Sequence, residues 1–67
     1  MNDRDVQYLL QQLGLYKGSL DGKRGPMTTA AIKKFQKSQG LTVDGVAGRK
    51  TKSALVTALK QKMNQNF

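Results

Sequence analysis

"DGKRGPMTTAAI" at residues 21–32 and "DGVAGRKTKSAL" at residues 44–55 write one phrase twice. Asp21 pairs with Asp44, Gly22 with Gly45, Gly25 with Gly48, Thr28 with Thr51 and Ala31 with Ala54; the aliphatic Ile32 falls on Leu55. The shared pattern, D-G-x-x-G-x-x-T-x-x-A followed by an aliphatic residue, reads as a turn feeding a helix. Glycine enters backbone conformations that other residues resist. An Asp carboxylate accepts backbone N–H bonds within its own turn. Thr28 and Thr51, a few positions into each helix, are placed to bond back toward the loop. The doubled phrase therefore predicts two equivalent loop-plus-helix units, most of whose shared residues are architectural.

Around these units the glycines mark the helix limits. All seven (14, 18, 22, 25, 40, 45 and 48) lie between three glycine-free stretches. Asn2 or Asp3 suits an N-cap, and Val6, Leu9, Leu10 and Leu13 then keep helical spacing up to Gly14, a suitable left-handed stop. Pro26 suits a first helical position. Thr28, Ala31, Ile32 and Phe35 follow it on one face, with Phe35 in the core, until Gly40. Thr51, Ala54, Leu55, Ala58 and Leu59 repeat the spacing. The expected helices are about 3–13, 26–39 and 49–62, and the tail NQNF (64–67) is expected to fray. No segment alternates as a strand would. The expectation is an all-α, compact three-helix bundle with two glycine-rich loops, forming a single domain over 1–67 with its core at about 3–62. Leu15, Leu20, Leu41, Val43 and Val46 are expected to tuck the loops onto the bundle.

The composition narrows the chemistry. With no Cys and no His among 67 residues, disulfides, Cys/His zinc sites and nucleophilic dyads are unavailable. No metal or cofactor is expected. Asp21 and Asp44 could be imagined as a glycosidase pair, but that chemistry needs one protonated and one ionised acid flanking a bond. Their equivalent turn positions explain both, so no catalytic residue is expected. Twelve Lys and Arg against four acids give a net charge of +8, which favours anionic partners. No stretch approaches the roughly 20 apolar residues of a membrane span. The start MNDRDV lacks signal-peptide character, so synthesis in the cytoplasm and release by other means are expected.

Tyr16, Gly18, Asp21, Gly22, Gly25, Thr28, Phe35, Gln36, Gly40, Leu41, Asp44, Gly45, Gly48 and Thr51 stand in the order of a known pattern. On these landmarks the chain resembles the peptidoglycan-binding-domain-like family of bacterial and phage cell-wall enzymes, over about residues 6–59. The resemblance implies a noncatalytic module that binds peptidoglycan, through stem peptide or glycan, and targets a linked hydrolase to the wall. One position departs: the residue before Gly25, commonly aromatic in the family, is Arg24.

Tyr16, Arg24 and Gln36 are the expected ligand contacts, because an aromatic, a cation and a polar side chain gather about the longer first loop. Tyr16 can equally be a core lid, and Gln36 can instead bond a loop carbonyl. A nucleic-acid reading fits the charge. Its helix-turn-helix form needs a turn of about 3 to 4 residues, however, and GLTVDGVAG (40–48) is longer. Arg, the residue suited to base reading, occurs only three times. An adaptor that uses the same fold to bind a protein is a third possibility.

Overall fold

Asn2 and Asp5 close a reciprocal capping box at the start of the computed structural model, which describes residues 2–64. The Asp5 N–H donates to Asn2 Oδ1 at 2.9 Å and the Asn2 N–H to Asp5 Oδ2 at 3.2 Å. These bonds satisfy donors that a helix start leaves free. Helix α1 follows as Asp3–Gln12. Helix α2, Pro26–Ser38, has Gly25 as its N-cap and Pro26 at its first position. Helix α3 is Arg49–Asn64. No strand occurs among the described residues, so the three-helix reading holds. The first two helices end one residue before their expected limits, and α3 runs two residues further. The rest of the tail, 65–67, lies outside the described residues.

α1 and α2 stop by the same device. Gly14 (φ 78°) and Gly40 (φ 69°) take the left-handed position after each helix. Behind them the Leu15 N–H donates to Leu10 O at 2.9 Å, and the Leu41 N–H to Gln36 O at 2.9 Å. This wrap satisfies late carbonyls and turns the following leucine back onto the helix it has just left. Leu15 and Leu41 are accordingly half-buried against the core.

That core is built from Val6, Leu9 and Leu10 of α1, Ala31, Ile32 and Phe35 of α2, and Leu55 of α3. Tyr16 and Ala47 close it from the loops. α1 packs against α3 and, less extensively, α2. Leu20 also tucks against the core, but Val43 and Val46 do not, being 50% and 48% exposed. Around Val46 the inward places belong to the buried Gly45 and Ala47. A Cβ at residue 45 would already lie 2.9 Å from Thr29 Cγ2, so only glycine fits there and the valine beside it faces outward.

Candidate ligand-binding groove

Each doubled phrase is organised by a buried glutamine. Gln36 Nε2 donates to Asp44 Oδ1 (2.8 Å), Val46 O (3.0 Å) and Thr51 Oγ1 (3.2 Å). Its Oε1 accepts the Asp44 and Gly45 N–H groups at 3.1 and 3.0 Å. Gln7 repeats the arrangement in the first loop. Its Nε2 reaches Asp21 Oδ1 (3.1 Å), Lys23 O (2.9 Å) and Thr28 Oγ1 (3.0 Å), while its Oε1 accepts the Gly22 N–H at 2.9 Å. The two amides thus bind equivalent partners, Gln36 from the end of α2 and Gln7 from the middle of α1, each clamping its helix to the start of the next through the loop between them. Both are 1% exposed or less.

The two Asp residues complete these clamps. The Lys23 N–H donates to Asp21 Oδ1 at 2.9 Å, and the Val46 N–H to Asp44 Oδ1 at 2.9 Å. These backbone bonds, joined by the Gln7 and Gln36 side-chain bonds, hold both carboxyls below their ordinary range. An ionised, doubly engaged carboxylate fixes a turn; it does not act as a proton donor.

The expected contacts Tyr16, Arg24 and Gln36 do not converge. Gln36 is corrected from a ligand contact to a buried clamp of the second loop. Ten residues of helix, about 15 Å of rise, separate it from Pro26 at the end of the first loop. Arg24 pairs with Asp3, Nη2 to Oδ1 at 3.3 Å, with both side chains partly exposed. Tyr16 is buried, and its hydroxyl donates to Ser19 O at 2.6 Å. Its ring fills the space above Gly18, where a Cβ would lie 2.6 Å from the hydroxyl oxygen.

Tyr16 nevertheless forms part of a groove. Two shallow depressions, of about 360 and 330 Å³, meet at Tyr16 and Met27 on the face between the first loop and α2. The first is lined by Leu15, Ala30 and Ala31 with Lys17 and Lys34; the second runs over Gly25 and Pro26 past Lys23. Met27 is 58% exposed and lines both depressions. Sequence reasoning missed Gln7 and Met27. Each glutamine directly follows a core residue, Val6 or Phe35, and that shared position was the available signal.

The sequence profile of the peptidoglycan binding domain family matches residues 2–55. The chain belongs to this family. It is 46% identical over 56 residues to the spore cortex-lytic enzyme of Bacillus cereus, covering 84% of this chain and 22% of the enzyme. It is 49% identical over 55 residues to OpcA of Synechocystis, a protein named for the OxPP cycle, covering 82% of this chain and 12% of that protein. The crystal structure of the SleB N-terminal domain superposes with a TM-score of 0.82 at 44% identity, covering 85% of this chain and 78% of that one. The chain thus spans a small part of the curated relatives and most of the solved domain.

Proposed function

We propose that this domain binds peptidoglycan without catalysing its cleavage, using the groove formed by the first loop and α2. The observation that carries this is the pair of adjoining depressions around Tyr16 and Met27, in a member of a peptidoglycan-binding family. An apolar floor flanked by Lys17, Lys23 and Lys34 suits a peptide backbone with small side chains and carboxylates, which is the chemistry of wall stem peptides. Open depressions on so small a domain hold ligand weakly. Attachment to a hydrolase turns weak binding into a high local concentration of catalyst at the wall, and the relationship to a cortex-lytic enzyme supports that use.

The test is co-sedimentation with purified insoluble sacculi at two ionic strengths, with duplex DNA at matched salt as the competing ligand. Met27→Ala is expected to weaken sacculus binding at both salts. Lys17→Ala combined with Lys34→Ala is expected to weaken it chiefly at low salt, where exposed charges are least screened. Arg24→Ala, which breaks an ion pair outside the groove, is expected to weaken it less. Tight DNA binding with no sedimentation would overturn the reading. Sacculi that fail to retain the folded parent would likewise overturn it.

A further inference from the structure

The first-loop groove has a counterpart that family membership does not assign. A depression of about 360 Å³ lies between the second loop and α3, lined by Leu41, Thr42, Val46, Gly48, Arg49 and Lys50, with the clamp residues behind it. The doubled phrase maps it onto the first-loop groove: Gly48 falls on Gly25, Arg49 on Pro26, Lys50 on Met27 and Val46 on Lys23. The matching helix ends place Leu41 and Thr42 where the first groove has Leu15 and Tyr16. One framework, held by equivalent glutamine clamps, therefore presents two cradles with different linings.

The glycines at the two cradles stand at the starts of α2 and α3, where each carbonyl accepts the first helical bond, but neither backbone strain nor packing demands them. Gly22 and Gly45 need φ near 74°, but neither Gly25 nor Gly48 has positive φ. A Cβ added at either would meet nothing within 4 Å. Where backbone conformation and packing both allow a side chain, its absence leaves the main chain open to close approach from outside. Both glycines line their cradles.

We propose that the second-loop cradle is a second ligand subsite, taking a carboxylate-bearing segment of the same wall peptide; this rests on the wall-binding reading above. Arg49 and Lys50 supply the charge, and neither is in an ion pair among the described residues. Asp44 is the acid in the lining, and its Oδ1 is engaged by the Val46 N–H and Gln36. The half-exposed Val46 and Leu41 offer an apolar wall for a small aliphatic side chain beside the carboxylate. Both cradles carry cations, but Lys50 stands where the first has Met27 and Val46 where it has Lys23, so two differently composed stretches of one polymer can be held together.

Sacculus-binding isotherms of the full chain test this, with folding followed by thermal melting. Gly48→Ala is expected to stay folded and melt within a few degrees of the parent, since the loss of a favoured N-cap glycine is offset by a more restricted unfolded chain, and yet to bind sacculi more weakly. Arg49→Ala with Lys50→Ala is expected to lose about fivefold to tenfold at low salt, as two exposed charge contacts would give. The charge-matched Lys37→Ala with Lys60→Ala, on exposed helical positions outside the cradles, is expected to lose less than about twofold. In NMR titrations a synthetic stem tetrapeptide ending in a free alanine carboxylate should shift the Val46, Gly48 and Lys50 amides, and its C-terminal amide should not. If the second-loop variants bind as the charge-matched control does while Met27→Ala weakens binding, the second subsite is refuted and the first-loop reading stands. If the folded parent does not sediment with sacculi, both fail.

Discussion

Replacing Gln36 with leucine keeps the side chain's approximate volume and removes both ends of its amide. Four groups lose a partner: the Asp44 and Gly45 N–H groups, the Val46 carbonyl and the Thr51 hydroxyl. The Asp44 carboxylate also loses a donor. Gly45 is buried, and a buried donor left unpaired costs about 1–3 kcal/mol. The Thr51 hydroxyl is buried as well and carries a similar cost, while the Asp44 N–H and the Val46 carbonyl lie nearer water and contribute a net bond of about 0.5–1.5 kcal/mol each. Leucine's extra apolar burial returns roughly 1 kcal/mol. The expected net loss is about 2–8 kcal/mol, against a total stability of about 3–10 kcal/mol for a domain of this length.

Thermal and urea unfolding followed by far-ultraviolet circular dichroism would measure it. At about 4–8 °C per kcal/mol, the melting temperature should fall by more than about 10 °C, and the variant can be partly unfolded at ambient temperature. Gln7→Leu should be milder, since its Oε1 accepts one backbone N–H where Gln36 accepts two. A Gln36→Leu loss below about 1 kcal/mol, less than a single unpaired buried donor, would refute the clamp as the element that holds the second loop.

Phe35→Ala, at one of the largest fully buried side chains, should cost about 3–5 kcal/mol in urea melts. Gly45→Ala should destabilise more than Gly14→Ala. Both sites have positive φ, but a Cβ at residue 45 meets Thr29 and Lys33 within 3.0 Å and one at residue 14 meets nothing within 4 Å; equal melting temperatures would count against the contact. Asp21 and Asp44 are depressed below the ordinary 3.8 in the fold. Their stabilisation is therefore full above that value and lost as pH falls through the lower folded value. Asp21→Asn with Asp44→Asn keeps an acceptor oxygen and removes the titration, so its melting temperature should change less than the parent's between about pH 6 and about pH 3.

The doubled phrase made half of each clamp legible before any coordinates. Asp21 and Asp44 are legible because the N–H groups they accept lie two residues on, whereas Thr28 reaches its loop only at 3.4 Å and both threonine hydroxyls chiefly meet the distant glutamines. The glutamines were harder. Gln36 was noticed as a polar residue beside a core stripe, but its burial depends on a loop that returns eight to fifteen residues later. Gln7 escaped because helical periodicity looks for apolar positions and takes a polar one as solvent-facing. The place of Gln36 is hard to read for a related reason. Closeness to the first loop in sequence was read as closeness in space, and the length of α2 carries Gln36 to the second loop. Tyr16 was located correctly on the first loop, where its ring is both core lid and groove wall.

The identity of the clamp residue follows from what surrounds it. Each clamp must offer donors to a carboxylate, a carbonyl and a hydroxyl while accepting from backbone N–H groups. Glutamate would turn acceptor against acceptor, and lysine has no acceptor. Asparagine is one methylene shorter, and a partner set spread around one amide leaves little room to move the backbone toward it. Gln36→Asn and Gln36→Glu should therefore both destabilise, the second more as pH rises and its carboxyl ionises beside Asp44. With these inward bonds made by the amide, the Asp and the loop backbone, the side chains of Lys23 and Val46 carry no share of them. Lys23 can face Val46, and Met27 can face Lys50, across the repeat without disturbing either turn. That separation lets one repeated frame keep its shape while the side chains on its two open faces differ.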